Sequence, residues 1–132
     1  MVAFCVMGGI FSEGIDLIGD RLIGAAVVGT GLPQVNCERE ILKGYYDEKG
    51  EQGFDYAYRY PGMNKVLQAA GRVIRTKEDT GAILLMDERF LNRDYRNLFP
   101  REWNDACTCT LGNVEKHLQA FWDVSEENDI IC

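Results

Sequence analysis

Gln68, Arg72 and Arg75 stand at three- and four-residue spacings in the stretch Gln68-Ala69-Ala70-Gly71-Arg72-Val73-Ile74-Arg75, with no carboxylate among them. Two guanidinium groups and an amide form a set suited to an anion. Guanidinium stays charged at any working pH and holds phosphate oxygens bidentately. One such group on a transferring phosphoryl group supplies about a 10³–10⁵-fold rate gain. A second set lies in Gly8-Gly9-Ile10-Phe11-Ser12-Glu13-Gly14-Ile15-Asp16-Leu17, where Ser12, Glu13 and Asp16 are the polar residues after an apolar run and two glycines. Both sets have plainer readings. The first is also what an exposed basic helix face looks like, and in the second Ser12 and Asp16 need do no more than bond local amides in a turn.

These residues need elements to position them. A helix turning roughly 100° per residue gathers Gln68, Arg72 and Arg75 on one side and Val66, Leu67, Ala70, Val73 and Ile74 on the other. Gly71 costs roughly 1 kcal/mol of helix propensity against alanine, which suggests close approach of another backbone or a ligand. Val2–Met7 is an uninterrupted apolar run and reads as a strand buried on both faces, hence a parallel sheet. Gly8 and Gly9 then fall at the carboxyl end of that strand, where open α/β sheets gather their ligands.

Leu22–Gly29 reads as a second buried strand, ended by Thr30-Gly31-Leu32-Pro33. Gly29-x-Gly31 hints at a dinucleotide fingerprint, but the third glycine is missing and Pro33 stands where the helix should open. Glu38–Glu48 carries Ile41, Leu42, Tyr45 and Tyr46 among charges, an amphipathic helix ended by Gly50. Glu51–Asp55 reads as a loop. A strand would align the alternating Phe54, Tyr56, Tyr58 and Tyr60 on one face and could offer a base-stacking platform; a helical or irregular segment, with these as packing residues, is the preferred reading. Ala82–Met86 is a strand capped by Asp87-Glu88-Arg89-Phe90. Asn92–Trp103 is a short helix and then a loop ending at Pro100, Cys107–Leu111 a last strand, and Val114, Leu118, Phe121 and Trp122 mark a final helix. His117 is expected to be solvated, with no nucleophile paired to it.

Composition bounds the function. The 132 residues are one domain's worth, and 14 basic against 21 acidic residues leave a net charge of −7. A net acidic domain binds a polyanion only locally. The five cysteines are odd in number and show no C-x-x-C pair, so neither a disulfide framework nor a zinc site is expected. No apolar run approaches the ~20 residues that span a membrane, and no secretory signal opens the chain; a cytoplasmic location is expected. No G-x-x-x-x-G-K-[ST] loop and no metal-holding Asp-Glu pair after a strand is present, so ATP hydrolysis by this chain alone is not expected.

Gln-x-x-Gly-Arg-x-x-Arg on a helix, running through Thr76–Gly81 into Ala82–Phe90, resembles motif VI of superfamily 2 helicases, and the Asp87-Glu88-Arg89-Phe90 ending resembles the DinG/XPD branch. Gly8–Leu17 resembles motif V of the same branch, and the two blocks stand in the right order over about residues 2–103. The resemblance implies an α/β, RecA-like three-layer domain with a mostly parallel sheet flanked by helices. Residues 1–132 would be the single C-terminal lobe of a larger ATP-dependent DNA helicase. In that family Arg72 and Arg75 would reach the γ-phosphate, with Gln68 orienting phosphate or water. Gly14, Asp16 and, at the coupling point, Glu13 would face the nucleotide, and Gly9 and Ser12 the nucleic-acid backbone. Asp87 and Arg89 would buttress the motif. ATP with Mg²⁺ would be bound mainly by the first RecA-like lobe of the parent chain, the partner of this one alongside single-stranded DNA. An iron–sulfur cluster, where the family carries one, uses cysteines of an insertion in the other lobe, so no cysteine here inherits it. The competing expectation is a non-catalytic interaction module with the same fold.

Overall fold

The computed structural model describes residues 1–9, 22–74, 76 and 79–129. Helix α1 (Cys37–Glu48) is opened by Asn36, whose extended backbone lets its side-chain oxygen accept from the Arg39 N–H at 2.9 Å. That satisfies one of the amide donors a helix leaves unpaired at its start, and Glu38 and Glu40 sit at the positive end of the helix dipole. Gly50, at φ 77°, carries the chain away from the helix.

Helical backbone resumes at Gly53, earlier than the loop expected over 51–55. Asp55–Arg59 winds as a π-helix and runs directly into helix α2 (Tyr60–Ala70), which has Pro61 in its first turn. Proline has no N–H to return to the preceding turn. The Ala57 carbonyl four residues back is instead taken by Arg39 Nη1 of α1 at 2.7 Å. Tyr46 and Tyr56 stack at 3.9 Å across the same junction, and the Tyr58 hydroxyl donates a short hydrogen bond to Glu40. The helical reading of the tyrosine run therefore holds, as does packing duty for the buried Tyr58.

Strands β1 (Gly24–Val28) and β2 (Ala82–Met86) pair in parallel, Gly24 against Ala82 through Val28 against Met86. Helix α2 packs on this sheet through Met63, Val66 and Ala70, joined in the core by Val27, Val73, Phe90 and Tyr95. Gly31 (φ 65°) brings the turn after β1 close against helix α2: a Cβ there would lie 2.7 Å from the Gly62 carbonyl oxygen, and one on Gly62 2.7 Å from that of Thr30. Past β2, Asp87 caps a short 3-10 helix, Glu88–Leu91, that leads into α3 (Arg93–Arg96). Arg59 ties the π-helix to α3, lying 2.8 Å from Asp55 and 3.2 Å from Asp94, with its guanidinium over the Phe54 and Tyr95 rings. The fold is α/β, a small parallel sheet flanked by helices.

Residues Met1–Leu98 form one compact unit and Phe99–Cys132 a second. In the second, a 3-10 turn (Arg101–Trp103) precedes helix α4 (Val114–Asp129).

Three expectations are corrected. Val2–Met7 is not a strand: it pairs with nothing among the described residues, and Phe4 is 97% exposed. An apolar run specifies a strand only where a neighbouring ladder takes its amides, and none of the described strands is placed beside it. The strand at Leu22–Gly29 forms over Gly24–Val28, yet only Val27 of it is buried. Cys107–Leu111 is also not a strand. The Thr110 N–H is donated to Asn113 Oδ1 at 2.6 Å and the Asn113 N–H to the Thr110 carbonyl at 3.1 Å, so the local turn into α4 uses the groups a ladder would need.

Candidate functional site

The last turn of α2 and the residues after it hold the first candidate set. The Gly71 N–H bonds the Leu67 carbonyl at 2.8 Å, a regular helical step. Arg72 and Val73 then bond Ala69 and Ala70, only three residues back, at 3.3 and 3.0 Å. The helix thus tightens and stops at Ala70, so Arg72 lies beyond the last helical turn that carries Gln68. Val73 explains the break. It is buried, and its side chain occupies the space beside Gly81, where a Cβ would come within 2.3 Å of Val73 Cγ1. Ending the helix turns Val73 onto the start of β2 and leaves Ile74, expected on the buried side, 44% exposed. Gln68 stays exposed on α2 and Arg72 is half-buried in the turn that follows. Arg75 lies outside the described residues. The close approach at Gly71 is to the chain itself, a Cβ there lying 3.2 Å from the Leu67 oxygen.

Of the second set, Gly9 is described, and Ser12, Glu13, Gly14 and Asp16 lie outside the described residues. The Gly9 N–H donates to the Val6 carbonyl at 2.9 Å and closes a turn in which Gly8 takes φ 78°. This turn abuts α2: a Cβ on Gly8 would sit 3.8–3.9 Å from the end of the Lys65 side chain. At the carboxyl end of β1, Gly29 (φ 83°) and Gly31 flank the buried Thr30, whose hydroxyl has no partner among the described residues. Glycine is needed at positive φ because a side chain crowds its own backbone there.

Asp87 and Arg89 stand at the carboxyl end of β2. Asp87 accepts from the Arg89 N–H and Nε at 2.9 Å each and from Nη2 at 2.7 Å. Those hydrogen bonds hold the Asp87 carboxyl below its ordinary value of 3.8 against the opposing effect of burial, and raise the Arg89 guanidinium in turn. Each charge neutralises the other, which suits a supporting role.

Sequence reasoning missed two features. His117 Nδ1 lies 3.8 Å from the Cys107 thiol, so the histidine expected without a nucleophile stands beside one, brought there by the turn at Thr110–Asn113. Both are exposed. An open, mainly apolar groove of about 250 Å³ also runs along α2, lined by Tyr60, Met63, Asn64, Leu67 and Leu98. Among the described residues no three His, Cys, Asp or Glu side chains are grouped to hold a metal, and no helix is long and apolar enough to cross a membrane. Cys5, Cys37 and Cys107 are exposed free thiols and Cys109 is half-buried.

Residues 1–106 match the helicase C-terminal domain family. The chain is 33% identical over 132 residues to the ATP-dependent DNA helicase chl-1 of Caenorhabditis elegans, covering 96% of this chain and 16% of that protein. It is 31% identical over 103 residues to the general transcription and DNA repair factor IIH helicase subunit XPD of Dictyostelium discoideum, covering 76% of this chain and 13% of that one. To the ATP-dependent DNA helicase DinG of Photobacterium profundum it is 35% identical over 89 residues, 66% of this chain and 13% of the relative. The chain therefore spans under a fifth of the length of each of these relatives, and it belongs to the helicase C-terminal domain family of DinG/XPD-type DNA helicases.

Proposed function

We propose that this chain is the second motor lobe of an ATP-dependent DNA helicase and completes an ATP site whose phosphate cradle lies on the first lobe. The observation that carries this reading is the placement of Gln68 and Arg72 at the end of α2. One is exposed on the last helical turn and the other half-buried in the turn that follows. When the lobes close, Arg72 and Arg75 stabilise charge developing on the transferring γ-phosphoryl group and Gln68 orients phosphate or water. Asp16 and Gly14 meet the nucleotide, and Gly9 and Ser12 meet the strand. Glu13, between them, relays closure. The Mg²⁺ that accompanies ATP is held mainly by the other lobe. Each cycle moves the lobes along one strand.

Arg72→Ala in the full parent chain lowers DNA-stimulated ATP turnover by about 10³-fold or more, and Arg72→Lys recovers little because the bidentate fork is lost. Unchanged turnover in Arg72→Ala would remove the arginine from the reaction. The isolated chain is expected to be inactive beside a parent whose hydrolysis single-stranded DNA stimulates. A non-catalytic interaction module is favoured only by the outward Ile41 and Tyr45 of α1. Silence of the parent with DNA present would support that module instead.

A further inference from the structure

Lys65 differs from the other half-buried basic residues near it. Arg39 donates to the Ala57 carbonyl, Lys43 pairs with Asp47, Arg59 with Asp55 and Asp94, and Arg89 with Asp87. Lys65, equally half-buried, makes no ion pair or hydrogen bond among the described residues, in a chain whose net charge is −7. Its position is nonetheless set. The start of its side chain lies against Gly31, where a Cβ would come 3.5 Å from Lys65 Cβ, and its end lies against Gly8, 3.8 Å from Cε and 3.9 Å from Nζ. Two turns with glycine at positive φ thus flank the aliphatic stem from root to tip, and neither carries a side chain that would cover the ammonium. Helix α2 supplies the lysine, the carboxyl end of β1 supplies the first turn, and the Gly8–Gly9 turn supplies the second. A flexible ammonium held in one place, without a counter-charge among the described residues, at the ligand-binding end of a parallel sheet is a ready contact for an anion.

We infer that Lys65 contacts the backbone of the bound single strand, its ammonium neutralising one phosphate at the Gly8–Gly9 turn. The inference rests on the reading that places Gly9 against nucleic acid. A nucleotide phosphate offers the same chemistry, but Gln68 lies about one turn further along the helix and Arg72 beyond its end, whereas Lys65 touches the turn assigned to the strand. A phosphodiester strand passing over Gly8 and Gly9 also needs the bare backbone those residues provide.

The test uses the full parent chain and measures oligo(dT) binding by fluorescence anisotropy over a range of salt concentrations. Each phosphate neutralised on a single strand contributes about 0.7 to the slope of log K against log salt. Lys65→Ala and Lys65→Gln should both flatten that slope by about this amount and weaken binding several-fold at low salt, while Lys65→Arg restores it. Circular dichroism of each variant controls for folding, and nucleotide affinity without DNA is measured in parallel. An unchanged slope in both neutral variants overturns the assignment. So does weakened nucleotide binding with an unchanged slope, which would move Lys65 to the ATP side. Failure of the unsubstituted parent to bind oligo(dT) overturns both this inference and the function on which it rests.

Discussion

Asp87 and Arg89 exchange three hydrogen bonds across two residues of sequence, and acid should reveal it. The Asp87 carboxyl titrates below its ordinary value when folded. The ion pair therefore stabilises fully above the unfolded carboxylate value, near 3.9, and that stabilisation is lost as pH falls through the lower folded value. Arg89 is 42% exposed on its side chain, so water screens the pair and its contribution stays below about 1 kcal/mol. Asp87→Asn retains an oxygen for the Arg89 N–H and removes the charge. Its melting temperature should lie below that of the unsubstituted chain at pH 7 and converge with it near pH ~2; a gap that persists in acid would mean the carboxylate was not the cause. The supporting role of Asp87 and Arg89 was legible only through the family resemblance of the Asp-x-Arg step after the strand, not from its spacing. Cys107 beside His117 was not legible, because two residues ten apart meet only through a turn that Asn113 builds.

At the scale of elements, the apolar run of β2 and the glycine that ends α1 could be read from local signals, whereas the helical character of the tyrosine segment followed from the family resemblance, against an alternation that suits a strand. The end of α2 could not be read locally. Its pattern continues through Ile74, and what stops it is Val73 packing beside Gly81, a contact with no trace in the helix's own periodicity. Val2–Met7 was misread for a related reason: its residues have strand character, but pairing depends on a neighbour. Gly62 makes the contest between local and tertiary effects measurable. By propensity alone Gly62→Ala would stabilise α2 by about 1 kcal/mol. Its Cβ, however, would lie 2.7 Å from the Thr30 oxygen and 3.1 Å from the Leu32 nitrogen, backbone atoms that cannot swing aside. Overpacking of this kind typically costs about 1–3 kcal/mol, so the urea midpoint of the chain should fall. A raised midpoint would show that helix and sheet have room to separate.

Among the described residues the buried apolar side chains, Val27, Ala57, Tyr58, Met63, Val66, Ala70, Val73, Phe90 and Tyr95, all belong to the unit that ends at Leu98. Amide exchange should follow that division, with slow exchange over Met63–Ala70 and β2 and fast exchange over α4 in the isolated chain. Strong protection across 114–129 would contradict it. The crowded backbone contact at Gly31 and Gly62 also gives α2 a mechanical character. Lys65 lies three residues from that contact and Ala70, where the helix ends before Arg72, eight, roughly 4.5 Å and 12 Å along the axis. With Gly62 as the fulcrum and a stiff helix as the arm, a tilt that shifts Lys65 by about 1 Å shifts the Arg72 end by about 3 Å.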